Sequence, residues 1–269
     1  MSGVWLAALS GVIGGGTLLV GAAVAWFVAI PQRVVAGIMA VGAGVLISTL
    51  AFELVEEAAE DGGLVPTVIG FLGGAILYIV ADQLVSRPKA QPAKVPAKVP
   101  ADVPADLSVE VPASIVARRG GARLAGGAGM VIAIGALIDG IPESIVMGLS
   151  VLDGGISIPI VAAIAISNFP EGLGSTAALK RGGSSGGTVA LLWGSIAAIT
   201  VAASVLGFVA FQTAPANLVA LITTIAAGGL LAMICNTMIP EAFDEQHALT
   251  GLWATIGFLG AFVLHEVAG

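Results

Sequence analysis

The chain has 269 residues, of which 57% are apolar and only 10% charged, with a mean hydropathy of +1.04. A soluble domain carries about a quarter charged residues, so this composition excludes a water-solvated globule and sets the apolar surface against lipid. The formal charge of -7 does not restore solubility, because the carboxylates gather at a few places; no nucleic-acid partner is expected.

The N-terminus, Met1-Ser2-Gly3-Val4-Trp5, leads without a basic segment into an apolar run too long for a signal peptide. It reads as a retained first span. A bilayer core takes about 20 apolar residues per helix, and runs of that length fall at roughly 4–30, 34–54, 65–85, 124–150, 155–179, 187–212, 217–240 and 249–268. The expected fold is therefore an all-α membrane protein of eight transmembrane helices. The many glycines suit close helix packing in lipid, where small residues let backbones approach. Trp5, Trp26 and Trp253 fall near span ends, as interfacial anchors do, and Trp193 is read the same way. Cys235, the single cysteine, sits in an apolar run and reads as a packed core thiol.

Between the third and fourth spans, residues 86–123 carry Ala-Lys-Val-Pro-Ala-Lys-Val-Pro-Ala-Asp-Val-Pro. Proline at that density removes backbone donors and favours extended chain, so this segment is a Pro/Ala-rich linker. The chain thus divides into spans 1–3 over 1–85, the linker, and spans 4–8 over 124–269. The basic residues fall in three loops: Arg33; Arg87, Lys89, Lys94, Lys98, Arg118, Arg119 and Arg123; Lys180 and Arg181. With eight spans these loops share one side. The positive-inside bias makes that side cytoplasmic and both termini extracytoplasmic, in a plasma membrane of bacterial type.

Two pairs of motifs repeat. Phe52-Glu53-Leu54-Val55-Glu56-Glu57-Ala58-Ala59-Glu60-Asp61 followed by Gly70-Phe71-Leu72-Gly73 closes span two in an acidic turn and opens span three. Asn236-Thr237-Met238-Ile239-Pro240-Glu241-Ala242-Phe243-Asp244-Glu245 followed by Gly257-Phe258-Leu259-Gly260 does the same for spans seven and eight. Nested between them, span four carries Asp139-Gly140-Ile141-Pro142-Glu143-Ser144 and span five Ser167-Asn168-Phe169-Pro170-Glu171-Gly172. Alternating span directions turn each pair upside down, an arrangement common in secondary transporters. Spans 1–3 and 6–8 then form an inverted repeat around the central pair 4–5.

Asp139, Glu143 and Glu171 lie near span centres. A carboxylate there costs about 2.5–3.5 kcal/mol on insertion scales, and no Lys, Arg or His stands mid-span to offset it. Protonation, a water-filled cavity or a bound cation remain. Residues four apart share a helical face, so Asp139 with Glu143, and Ser167 or Asn168 with Glu171, can point across one seam. Pro142 and Pro170 each oppose the carbonyl four residues earlier, Ile138 and Ile166, and freed carbonyls beside a polar cavity can coordinate cations. A divalent metal cation as transported substrate fits best. Its binding would expel protons from the carboxylates, so proton antiport or proton-sensitive transport is an expectation.

These residues resemble the ZIP (Zrt/Irt-like) metal transporter family: eight spans, outside termini, a variable cytoplasmic loop after span three, and two Pro-Glu motifs in spans four and five. Asn168-Phe169-Pro170-Glu171-Gly172 is the specific match, and Ile239-Pro240-Glu241-Ala242 also follows the family pattern. The resemblance implies that Asp139, Glu143, Ser167, Asn168 and Glu171 line a metal site, mono- or binuclear. It further implies that spans one, four, five and six move elevator-like or by rocking against two, three, seven and eight, and that the chain can form a homodimer. Family members usually have histidine at the positions of Asp139 and often Ser167, and asparagine at Gly140; the histidine-rich loop is absent here, as is any acid in span six. The remaining ligands are nearly all oxygen, which suits manganese or ferrous ion better than the family's default, zinc.

His247, after Glu241, Asp244 and Glu245, reads as part of an acidic helix end, with an ion exit platform as the alternative. Glu53, Glu56, Glu57, Glu60 and Asp61 form an outer rim that either concentrates cations or is an ordinary charged loop beside the spans; Asp82 is placed at the headgroups, with a gate as the alternative, and His265 with Glu266 at the outer interface. Two rival functions stand: a transporter of another solute with a proton-relay carboxylate cluster, and a membrane protein that binds metal without moving it. No nucleophile–base pair, phosphate loop or zinc-protease spacing argues for an enzyme.

Overall fold

The computed structural model describes residues 2–86, 127–152 and 154–268. The regular structure there is entirely helical. We number the helices α1 (Gly3–Phe27), α2, α3 (Leu64–Ser86), α4 (Gly127–Leu149), α5 (Ile158–Arg181), α6 (Gly186–Phe211), α7 and α8 (Leu249–Ala268). α2 runs as Gln32–Thr49, a π-helical stretch Leu50–Glu56, and Glu57–Gly62; α7 runs as Ala216–Met233, a π-helical stretch Ile234–Met238, and Ile239–Gln246. Among the described residues, seven helices, α1–α3 and α5–α8, are long and apolar enough to cross a membrane, which makes the chain an integral membrane protein. The linker lies outside the described residues from 87 onward, together with the basic residues Arg87 to Arg123.

The expected acidic turns after spans two and seven are instead helix. α2 and α7 pass through their π stretches and carry Glu57, Glu60 and Asp61, or Glu241, Asp244 and Glu245, on a further helical segment. Ala and Glu are strong helix formers, so nothing in Glu57-Ala58-Ala59-Glu60 ends the helix. The chain stops only where the backbone turns left-handed, at Gly63 (φ 91°) and His247 (φ 46°).

Helices α1, α4, α5 and α6 pack as one body, and α2, α3, α7 and α8 as a second; α2 meets α5 and α7 meets α4 between them. Four crossings inside the bodies share one construction. In each, a glycine on either helix lies against a carbonyl of the other, so that an added Cβ would fall within contact of backbone oxygen. Gly21 faces Phe169 O (2.2 Å) and Gly172 faces Leu18 O (2.3 Å) where α1 crosses α5; Gly148 faces Ser204 O (2.0 Å) and Gly207 faces Ile145 O (2.9 Å) where α4 crosses α6. In the second body Gly44 faces Ala254 O (1.8 Å) and Gly257 faces Val41 O (2.1 Å) between α2 and α8, while Gly74 faces Ile225 O (1.8 Å) and Gly228 faces Phe71 O (1.9 Å) between α3 and α7. Without a hydrophobic driving force in lipid, such backbone approach is what holds helices together.

The boundary between the bodies is smoother. Leu46, Leu50 and Leu54 of α2 and Leu230 and Met233 of α7 pack with Val146 and Met147 of α4 and Ile160, Val161 and Ile164 of α5 in one buried apolar cluster. Leu77, Leu191, Leu206 and Leu259 stand more than half exposed on the outer faces, as lipid-facing residues would.

Two expectations fail. Trp193 is no interfacial anchor: it is fully buried among Leu18, Ala22, Ala136, Leu179, Val189 and Ile196. Ala22 and Ala136 leave room for its ring inside the first body. Cys235 is not a packed thiol but is exposed, because the π stretch of α7 turns it off the buried face.

Candidate metal site

Where the two bodies meet, a cavity of about 20 Å³ is lined by Asp139 and Glu143 of α4, Ser167, Pro170 and Glu171 of α5, Met39 of α2, and Met233, Thr237, Met238 and Glu241 of α7. A volume of roughly 10–15 Å³ admits one water, so the space suits a single small ion or water. Both sequence prolines stand inside their helices, Pro142 in α4 and Pro170 in α5.

Burial makes the carboxylates costly. Asp139 is 7% exposed and Glu143 only 1%. Glu143 Oε1 accepts a long hydrogen bond from Ser167 Oγ (3.5 Å), whose hydroxyl also reaches Ile164 O at 3.0 Å. Glu143 Oε2 has no protein donor. An unpartnered carboxylate oxygen at that depth is expensive unless a proton or cation meets it.

Of the five residues expected at the site, Asp139, Glu143, Ser167 and Glu171 share the cavity, and Asn168 does not. Its Nδ2 donates to Gly14 O on α1 at 3.1 Å. Asn168 thereby ties α5 to α1, on the side away from the second body. No three His, Cys, Asp or Glu side chains among the described residues stand close enough to form a ready-made metal cluster. The carboxylates surround one space without converging on one point.

The second body supplies residues that sequence reasoning passed over: Met39, Met233, Met238 and Thr237. Glu241, expected on an acidic helix end or an ion exit platform, lines the same cavity. The π stretch Ile234–Met238 advances α7 by an extra residue per turn there, which brings Thr237, Met238 and Glu241 to the same cavity. Thr237 also contacts Tyr78 of α3, hydroxyl to hydroxyl, at 3.5 Å.

On the face of the molecule that carries Gly63, α2 borders two larger cavities. One, of about 260 Å³, is lined by Glu53, Leu54, Glu57, Asp61, Val146 and Leu149 among others; the second, of about 430 Å³, by Phe52, Glu53, Glu56, Glu57, Glu60 and His265. His265 Nδ1 lies 2.6 Å from Glu53 Oε1, and Ser157 at the start of α5 donates to Glu53 Oε2 at 3.3 Å. Glu53 therefore links α8, α2 and α5. His265 is thus held by a partner.

No protein-family model matches the chain, and no curated protein matches it in sequence.

Proposed function

We propose that the chain carries a divalent metal cation across the membrane by alternating access, on the plan of the ZIP family. One observation carries the reading: Asp139, Glu143 and Glu171 from one helical body and Glu241 from the other line a single ion-sized cavity between them. A cation there meets Glu143 Oε2, which is buried without a protein donor. The 23-residue α4 is the eighth span in this reading, and the positive-inside bias of Arg33, Lys180 and Arg181 puts Glu241 on the cytoplasmic face.

The inverted repeat is supported by register. The π stretches open at Leu50 and Ile234, the helices end left-handed at Gly63 and His247, and Pro31 and Pro215 cap the two starts; each pair is 184 residues apart. The glycine crossings pair in the same order, though not all at that spacing: α2–α8 mirrors α3–α7, and α1–α5 mirrors α6–α4. Two bodies locked within by glycine and carbonyl, and joined by an apolar seam, are suited to shift against each other. Toward the Gly63 face the seam is packed by Leu50, Val146, Met147 and Ile164, so the arrangement is closed on that side.

The lining bears on the ion. Carboxylate and hydroxyl oxygens suit manganese and ferrous ion, and the thioethers of Met39, Met233 and Met238 add soft donors that magnesium and calcium do not use. Transition ions are therefore favoured over alkaline earths. Uptake of manganese, iron, zinc, cadmium and magnesium into proteoliposomes tests this, with Glu143→Gln and Glu171→Gln compared. Manganese or iron uptake lost in both variants is the expected result. A wild type that moves no metal, or a Glu143→Gln that moves it undiminished, removes the reading; proton flux without metal would favour the relay instead.

A further inference from the structure

We propose that Glu57 is the counterpart of Glu241, each offering its carboxylate to the transported ion on its own face of the membrane. The inference rests on the transport reading above and assigns a role that the central carboxylates do not fill. Both glutamates stand seven residues after the opening of a π stretch, Leu50 for Glu57 and Ile234 for Glu241. Both therefore lie at the same point on mirrored helices. Glu241 lines the ion-sized cavity together with Asp139, Glu143 and Glu171. Glu57 lines both cavities on the opposite face.

The two positions differ in what α4 presents to them. Glu241 shares its cavity with Glu143, whose Oε2 is buried without a protein donor. Glu57 shares its cavity with Val146 and Leu149, further along the same helix. Val146 is three residues beyond Glu143, and three residues of helix rise about 4.5 Å. A displacement of α4 and α5 by roughly that turn toward the Gly63 face would bring Glu143 to the level Val146 now holds, within the cavity that Glu57 lines. The ion would then pass from a site lined by Glu57 to one lined by Glu241. Glu53 is the neighbouring alternative, but its repeat position on α7 holds Thr237, which offers no charge, whereas that of Glu57 holds Glu241.

The test is manganese transport in oriented proteoliposomes, with half-saturation measured separately from each face for wild type, Glu57→Gln, Glu57→Asp and Glu241→Gln. Even groups that only support a metal ligand cost about tenfold or more in affinity when removed. Glu57→Gln should raise half-saturation at least tenfold from the Glu57 face and leave the other face unchanged; Glu241→Gln should do the reverse, and Glu57→Asp should recover most of the loss. An unchanged Glu57→Gln, or one weakened equally from both faces, overturns the proposal while the transport reading stands. A wild type that transports nothing overturns that reading first, and this one with it.

Discussion

Replacing Gly228 by alanine tests the packing on which the two-body arrangement rests. The added Cβ would lie 1.9 Å from Phe71 O, where ordinary contact is 3.4–4 Å. Both partners are backbone, so no side chain can swing aside, and α3 and α7 must part by about 1.5 Å at their crossing. Overpacking of this kind costs about 1–3 kcal/mol, while the better helix propensity of alanine returns up to about 1 kcal/mol. A net loss of about 1–2 kcal/mol is expected. Gly44→Ala, which meets Ala254 O at 1.8 Å, should cost the same, because its crossing has the same construction. Gly73→Ala, one residue from the α3 contact but with nothing within 4 Å, should cost nothing. Equilibrium unfolding in mixed detergent micelles measures all three. If Gly228→Ala is as stable as Gly73→Ala, the helices are not held by backbone approach; if only one of Gly44 and Gly228 is sensitive, the crossings are not equivalent.

Two further outcomes follow from local geometry. His247→Gly should stabilise the protein by up to about 1 kcal/mol in the same unfolding measurement, because a φ of 46° is strained for a residue with a Cβ and free for glycine; a loss would mean that the edge contact of His247 with Phe243 outweighs the strain. Asn168→Ala should lose about 1 kcal/mol through its bond to Gly14 O while manganese binding, followed by calorimetry, stays at the wild-type value. A collapse of binding would return Asn168 to the ligand set.

Most of the helices were legible because a span announces itself by length and hydropathy, which side-chain detail cannot disguise. Their ends were less so. Residues 55–62 read as a turn because charge usually marks the edge of a span, yet Glu and Ala continue a helix once it has left the hydrocarbon. The proposed repeat was visible as motif pairs: the acidic pair, Phe52 with Asn236, keeps the 184-residue register, but the other two pairs are one helical turn out of step with the contacts. Gly70-Phe71-Leu72-Gly73 matches the residues from Gly257, whereas the close approach of Gly257 is mirrored by Gly74; likewise Glu143 aligns with Glu171 by motif, but Gly148 with Gly172 by contact. Positions four apart on a helix share a face, so a match slipped by one turn looks equally good in sequence. Asp139, Glu143 and Glu171 could be found from the cost of burying charge. Met39, Met233 and Met238 could not, since a methionine in an apolar run differs in no way from its neighbours until a second helix is set beside it.

The connectors of the two bodies have a consequence for travel. Val28 to Pro31 joins α1 to α2, and Gln212 to Pro215 joins α6 to α7, four residues each, with proline immediately before the next helix. Four extended residues reach about 14 Å, and proline stiffens the last of them. These paired leashes tether opposite ends of the molecule, so in the proposed transport cycle a slide that slackens one would draw the other tight. Lengthening only one of them would then let the stroke overshoot in a single direction.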